Sequence, residues 1–299
     1  MGTFEESPPV VVGVESTDGG RLAVLWAAEE ADRRGLRLRL VHALDWPLGA
    51  QHDPDMRKPW ETWSGIFRRA GQRALEEARS LALDVHPGPE VTEALVDGQP
   101  GVVMWEQAAN AAMVVLGSRR LSSIRELMTT GSIAVPVIAH ATCPVVIVRE
   151  PEHGGDHPGT VVVGVDGSRA VALAFEEASL RGATLVALQV RPFTASPVVG
   201  AVTHAEEVAE GRIRLAESLA GWAQKYPPTY RCDARSSSVI PCTPWHRRPN
   251  TRKCVVVGTR GLGGFKGMLL GAVGHGLVHH SHCPVMVVPP ERGRDDDRD

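Results

Sequence analysis

The stretch Gly258–Gly271, GTRGLGGFKGMLLG, places closely spaced glycines directly after the apolar run Cys254–Val257. A less regular copy, GSRRLSSIRELMTTG, occupies Gly117–Gly131 and follows the apolar run Met113–Leu116. A strand that leads into a glycine-spaced loop and then a helix presents backbone N–H groups that hold phosphate. The two copies therefore predict a tandem duplication built around a nucleotide-sized site.

The repeat extends through both halves of the chain. Each half has a valine-rich run, an Ala- and Glu-rich helical pattern that ends in glycine, and a second apolar run. The valine-rich runs are Val10–Ser16 and Val161–Ser168, and the second runs are Leu36–Leu44 and Ala183–Val190. Strands that alternate with helices at this spacing predict parallel βαβ units with helices on both faces of the sheet. The predicted fold class is therefore α/β, with two parallel-sheet domains in tandem.

Further elements follow in each half. The pattern predicts helices near 66–83, 100–112 and 205–224, and a third strand near 91–96 in the first half. The predicted domains are 1–150 and 158–290, and a polar Gly/Pro linker separates them. The remaining residues, 291–299, read ERGRDDDRD and are predicted to be disordered, because so charged a segment has nothing to bury.

Composition excludes several classes of protein. The chain has 299 residues, 43% hydrophobic content and a net charge of −3, which predicts neither nucleic-acid nor anionic-membrane binding. No apolar run reaches the roughly 18 residues of a transmembrane helix, and the N-terminus lacks the apolar core of a secretory signal. Five cysteines without framework spacing favour a reducing compartment. The predicted location is the cytoplasm.

The glycine spacing resembles that of a known family. Gly258, Gly261 and Gly271 are separated by two and nine residues, as in nucleotide-binding members of the universal stress protein family. The sequences VVVGVDGS before the loop and His-x-x-Cys-Pro-Val after it are also similar. The resemblance covers nearly the whole chain. It implies Rossmann-like, adenine-nucleotide-hydrolase-like domains that bind ATP, with or without magnesium, or another adenine nucleotide.

The resemblance also implies roles for individual residues of the second half. Gly164 and Asp166 would face the adenosine, and Val190 would hold adenine through its main chain. The phosphates would lie against the three loop glycines and the next two residues, which are Gly258, Gly261, Gly271, Ala272 and Val273. The family has Ser or Thr where Ala272 stands, and loss of that hydroxyl costs about 1–2 kcal/mol.

The first half departs further from the family. Arg120 stands where the second loop glycine belongs, and Ala43 occupies the adenine-wall position. The residues that remain for a second, weaker site are Gly13, Glu15, Gly117, Gly131 and Ser132. Two readings stay open: a decayed site, which we favour, or an adapted one in which Arg120 and Arg125 hold phosphate by charge.

The segment 236–253 does not match its counterpart. It contains three prolines and lacks the helical spacing of the first-half segment. A loop remodelled for a partner and a local frameshift both explain it. In either case the second sheet is expected to lack one covering helix.

Other candidate sites have structural interpretations. His279–Cys283, HHSHC, matches AHATC in the first half, so we assign it to a helix-to-strand turn and predict no metal site. Cys143 and Cys283 are predicted to be small buried residues. Trp46, Trp60 and Trp63 would form a lid or a partner surface, or cover the core, which we favour.

Three functions compete. The favoured one is a stress-response sensor that binds adenine nucleotide without catalytic residues, and the alternatives are a nucleotide-free protein scaffold and a slow ATP hydrolase. As in the dimers of the family, the two halves are predicted to pair through their last strands as an internal pseudo-dimer. A homodimer and a protein partner stay open.

Overall fold

The chain divides into two compact units, residues 1–150 and 151–299. The structure is a computed structural model. It describes residues 7–46, 57–118, 133–149, 159–166, 168–190, 209–210, 213, 215–217, 219–222, 224–226, 232–237, 252–259, 270–281 and 283–290. No helix in these ranges is long and apolar enough to cross a membrane.

The first unit is a five-stranded parallel sheet with the strand order β3-β2-β1-β4-β5. Its strands are β1 (Val10–Gly13), β2 (Leu38–Leu44), β3 (Val91–Asp97), β4 (Met113–Gly117) and β5 (Val145–Val148). Its helices are α1 (Asp18–Arg34), α2 (Arg57–Val85), α3 (Pro100–Ala108) and α4 (Ala134–His140). α1 packs against α2, and α3 packs against α4. Because right-handed crossovers reverse direction after β3, the two helix pairs cover opposite faces of the sheet.

The second unit repeats this topology, with the parallel order β8-β7-β6-β9-β10. Its strands are β6 (Thr160–Gly164), β7 (Thr184–Val190), β8 (Cys232–Ser237), β9 (Arg252–Gly258) and β10 (Val285–Val288). Its helices include α5 (Ala170–Arg181) and α6 (Ala272–His280), and the described residues between 209 and 225 are also helical. The predicted α/β fold with parallel sheets is confirmed.

Three elements differ from the sequence prediction: one additional strand and the bounds of two helices. The pattern assigned a third strand to the first half alone, but β8 pairs with β7 as β3 pairs with β2. Its sequence, CDARSS, has no apolar run, and a strand with one neighbour needs less apolar surface. Helix α2 begins nine residues before the predicted 66, because Pro59 lies in its first turn, where a missing N–H is tolerated. Helix α3 ends at Ala108 rather than near 112.

The glycine ends of the first helix in each unit are confirmed. Gly35 and Gly182 adopt left-handed φ values of 62° and 57°. Each donates its N–H to carbonyls of the last helical turn, which terminates α1 and α5. Residues without a Cβ take this conformation at little cost.

The core of each unit lies on the valine-rich strands. Val10, Val12, Val161 and Val163 are completely buried, as expected for parallel strands covered on both faces. The predicted helix-free stretch after β8 and the predicted disordered tail lie outside the described residues, as does the linker up to residue 158.

Candidate functional site

The second unit brings two chain segments together where the strand order reverses. β6 and β9 are adjacent and parallel, with Val163 opposite Val256, so both strands end at the same edge of the sheet. Gly164 is the last residue of β6 and Gly258 is the last residue of β9. In open parallel sheets, ligands bind at this switch point, beyond the carboxyl ends of the strands.

Gly258 lies directly against the loop that follows β6. A Cβ at this position would lie 2.7 Å from Ser168 Oγ and 2.8 Å from Asp166 Oδ2. These separations are too short for a methyl group, so only glycine fits without displacing the two side chains. Asp166, predicted from the family resemblance, therefore lies next to the first loop glycine.

A tight turn holds both polar side chains in place. The Ser168 N–H donates to Asp166 Oδ1 over 3.0 Å, and the Ala170 N–H donates to Ser168 Oγ over 3.3 Å. The second bond begins α5, whose first residue is Ala170. The turn thus fixes one carboxylate oxygen, while Oδ2 is directed toward Gly258.

The N-terminus of α6 is attached to the same edge. Thr259 follows β9, and its carbonyl accepts the Gly271 N–H at 2.8 Å. Gly271 is the N-cap of α6 and has no side chain to satisfy the N–H groups of the first turn. Val273, in that turn, is half-buried. A helix start of this kind favours an anion.

The structure brings some of the predicted site residues of the second unit together and places others only by their backbone. Asp166 and Gly258 are in contact, Gly164 ends the neighbouring strand, and Gly271 and Val273 begin α6. Val190 and Ala272 are placed by their backbone, at the end of β7 and the start of α6, while Gly261 lies outside the described residues.

Two contributors were not among the predicted site residues. Ser168 belongs to the VVVGVDGS motif. Its position two residues after Asp166 could have identified it as a site residue. Thr259 contributes through its carbonyl, which no side-chain pattern could have identified.

At the corresponding edge of the first unit, the last residue of β4 packs against backbone. A Cβ on Gly117 would lie 2.6 Å from the Gly19 carbonyl oxygen and 2.9 Å from the Gly20 nitrogen. The Cβ position of Gly13 faces the core side chains of Leu116 and Met104 rather than a ligand space. In the first unit the loop glycine therefore faces main chain, whereas Gly258 faces two polar side chains. Glu15 is half-buried near this edge. Gly131, Ser132, Arg120 and Arg125 lie outside the described residues.

The cysteines that repeat in the two halves are buried, as predicted. Cys143 and Cys283 are each 6% exposed. Burial raises the pKa of the Cys143 thiol to about 12, against a smaller lowering by backbone hydrogen bonds. Cys143 is therefore a neutral thiol near pH 7, without the thiolate that redox chemistry needs.

The histidine cluster forms no recognisable metal centre where it is described. The rings of His275 and His279 lie one helical turn apart, with centroids separated by 4.4 Å and planes inclined at 52°. Across the described ranges, no group of three His, Cys, Asp or Glu side chains could hold a metal ion.

One of the three tryptophans differs from the favoured interpretation. Trp63 is 48% exposed and does not cover the core. It lies on the same helical stripe as Phe67, which is also about half exposed. The Trp60 side chain lies outside the described positions.

Comparison with known proteins identifies the family. The family model described as "Universal stress protein family" matches residues 7–149 and 158–289. A universal stress protein of Mycobacterium tuberculosis is 31% identical over 297 residues, which cover 93% of this chain and 96% of that protein. Both matches extend across the two units.

A solved structure shows the same fold across nearly the whole chain. A universal stress protein from Archaeoglobus fulgidus has a TM-score of 0.70 at 17% identity and covers 96% of this chain and 98% of its own. A second structure from that organism, in complex with dAMP, is 28% identical with a TM-score of 0.32, covering 47% of this chain and 96% of its own. Since the family model spans both units and a relative above 30% identity spans nearly the full length, the chain belongs to the universal stress protein family.

Proposed function

We propose that the second unit binds one adenine nucleotide, ATP being the expected ligand, and that the protein is a cytoplasmic nucleotide-responsive binding module. The observation that carries the proposal is the contact of Gly258 with Asp166 and Ser168 at the switch point of the sheet. Glycine at this position lets Asp166 and Ser168 lie against the end of β9, so two polar side chains are gathered at the edge of the sheet where ligands bind.

The chemistry of the surrounding groups matches the parts of a nucleotide. Asp166 is a carboxylate that accepts hydrogen bonds from ribose hydroxyls, and Ser168 both donates and accepts. The first turn of α6 offers N–H groups and a positive dipole end for phosphate. Ala272 lacks the hydroxyl that would strengthen this contact, so the affinity is expected to be moderate.

A binding role is favoured over turnover by the state of Asp166. Its Oδ1 accepts the Ser168 N–H within a tight turn. A carboxylate that is held this way suits the orientation of a ribose hydroxyl, which is a binding role. Nucleotide would then act by shifting the populations of conformers that partners recognise.

Calorimetric titration with ATP, with and without Mg²⁺, tests the proposal. We expect one ATP per chain for the unaltered protein. Gly258→Ala should weaken binding at least tenfold, because its Cβ displaces Asp166 and Ser168. Gly221→Ala is the matched control, since a Cβ there meets nothing within 4 Å, and it should bind ATP normally.

Two results would overturn the proposal. One is the absence of binding up to millimolar ATP, and the other is equal affinity in Gly258→Ala and the unaltered protein. Phosphate release well above background that disappears in Gly258→Ala would replace the binding role with a hydrolase.

A further inference from the structure

The first unit contains a groove at the amino ends of its strands, at the edge of the sheet opposite to the switch-point edge. Its volume is about 880 Å³, within the range of roughly 300–1,000 Å³ that is usual for ligand pockets. Residues 7–9 and the end of α3 form its walls, and three neighbouring strands form its floor. Arg39 lies at the centre of this floor, because it pairs with Val11 of β1 on one side and with Thr92 of β3 on the other.

Arg39 occupies a position at which the second unit has valine. Val11 and Val162 each lie two residues before the glycine that ends β1 or β6, so they are counterparts. Their partners on the next strand are Arg39 and Val186. The same sheet therefore forms with an apolar residue at this place, and the charge of Arg39 belongs to the first unit rather than to the fold.

Arg39 uses one of its five N–H donors within the described part of the chain. Its Nε donates to Gln107 Oε1 over 3.0 Å, which holds the side chain beside α3. The N–H donors on its two Nη atoms have no partner among the described residues. Since Arg39 is half-buried and lines the groove, part of its hydration is lost without compensation by a carboxylate. A guanidinium fork in this state binds a carboxylate or a phosphate through two parallel hydrogen bonds.

The groove is positive although the whole chain is negative. Two arginines line it, Arg37 and Arg39, and the described lining includes one carboxylate, that of the exposed Glu106. Arg37 Nη2 donates to the Ser7 carbonyl over 3.3 Å, which places its charge at the wall formed by residues 7–9. Because the net charge of the protein is −3, the groove is a local reversal of charge that attracts acidic partners.

The other groups of the groove favour a peptide carboxylate over a phosphate. Helix α3 ends at Ala108 beside the groove, and its last carbonyls carry partial negative charge. Together with Glu106, they oppose a doubly charged phosphate more than a singly charged carboxylate. Further lining residues are apolar or can hydrogen-bond a peptide backbone, namely Pro8, Pro9, Val11, Thr92 and Asn110. The groove therefore suits a peptide that carries single carboxylates.

From this arrangement we infer that the groove at the amino ends of β1, β2 and β3 docks an acidic peptide segment of a partner protein, with an Asp or Glu side chain held by the Arg39 guanidinium. The inference goes beyond the proposed nucleotide site, because it concerns the other unit, the opposite edge of a sheet and a protein ligand. It does not depend on nucleotide binding, so the two proposals can fail separately.

NMR titration of the isotope-labelled full-length protein tests this inference. The probe is the peptide acetyl-Ala-Gly-Glu-Glu-Gly-Ala-amide, and the control peptide has glutamine in place of both glutamates. Arg39→Val removes the guanidinium and introduces the residue that the second unit has at this place, so the strand should still form. Arg73→Ala removes one positive charge at an exposed position of α2 and is the matched control.

The expected result is saturable shifts of the β2 amide signals with the glutamate peptide, and binding at least about fivefold weaker for the glutamine peptide. Arg39→Val should weaken binding of the glutamate peptide to the same extent, whereas Arg73→Ala should leave it unchanged. Arg39→Lys should weaken it less than Arg39→Val, because lysine keeps the charge but not the planar fork.

Three results would overturn the inference. One is that both peptides bind equally well or that neither binds. Another is unchanged binding in Arg39→Val, since the peptide would then occupy another site, such as the start of α6. The third is displacement of the peptide by inorganic phosphate at equal concentration, since the groove would then be a phosphate site.

Discussion

Burial determines the chemistry of Cys143, which lies just before β5. Because desolvation raises the pKa of its thiol to about 12, the residue stays protonated at neutral and mildly alkaline pH. We expect iodoacetamide at pH 8 to modify Cys143 only after the protein is unfolded in urea. Peptide mass spectrometry of native and unfolded samples measures this directly. Rapid modification of Cys143 in the native protein would show that the thiol is accessible.

Asp97 gives a pH dependence whose sign follows from its partners. The hydrogen bond from Arg68 lowers the pKa of the carboxyl, the bond from Trp46 lowers it further, and burial opposes both. A group with a lowered folded-state pKa stabilises the protein above its unfolded pKa, about 3.9, and this contribution is lost as pH falls through the folded value.

The corresponding variant is Asp97→Asn. Since Asp97 and Arg68 are about half exposed, the variant should lose no more than about 1 kcal/mol at pH 7. Urea unfolding at pH 7 and pH 3 should show a difference from the unaltered protein that shrinks at the lower pH. A difference of equal size at both values would contradict the assigned cause.

Two glycines of the second unit isolate the effect of backbone conformation, because neither position is crowded. A Cβ on either Gly182 or Gly221 meets nothing within 4 Å, but only Gly182 has the left-handed φ of 57°. Gly182→Ala should therefore destabilise the unit by about 1–2 kcal/mol. Gly221→Ala should stabilise it by about 0.5–1 kcal/mol, because it removes a glycine from a helix. Thermal unfolding of both variants tests this, and shifts in the same direction would refute the distinction.

At the scale of elements, the first helix of each unit carries a buried ion pair at the same place. Glu30 and Glu177 are completely buried, five residues before the terminal glycine. Each pairs with an arginine four residues later, Arg34 or Arg181. The shared pattern Glu-x-x-x-Arg-Gly thus marks the end of α1 and α5, and it was present in the sequence without being singled out.

Removing one member of the second pair should be costly. Arg181 is only 4% exposed and lies 2.8 Å from Glu177. Glu177→Ala leaves the buried guanidinium without this carboxylate, and a loss of about 3–5 kcal/mol is expected. Ser179→Ala, at an exposed position of the same helix, should change the unfolding free energy by less than about 0.5 kcal/mol. A comparable loss in both variants would show that the ion pair is not the cause.

Elements with strong local signals were predictable, and those set by tertiary context were not. The valine-rich strands were predictable because buried parallel strands need apolar side chains on both faces. The ends of α1 and α5 were predictable because a left-handed residue at a helix end favours glycine. Strand β8 has a polar sequence and exists because β7 offers a partner. The turn that places Ser168 against Gly258 needs two segments more than eighty residues apart, which no local pattern describes.

At the scale of the whole molecule, the two units share a topology but differ at the switch point of the sheet. The loop glycine of the second unit, Gly258, faces the side chains of Asp166 and Ser168, two polar groups that can hydrogen-bond a ligand. Its counterpart Gly117 faces the backbone of Gly19 and Gly20. The decayed and the adapted readings of the first phosphate site both remain predictions, because Arg120, Arg125, Gly131 and Ser132 lie outside the described residues.

The most direct test of the proposed nucleotide site is mass spectrometry of small molecules released from the purified full-length protein. We predict about one adenine nucleotide per chain, retained in Gly221→Ala and lost in Gly258→Ala. Two nucleotides per chain would contradict the assignment of a single site. No nucleotide on purification, together with no binding at millimolar ATP, would contradict the nucleotide-responsive role and leave a protein-interaction scaffold.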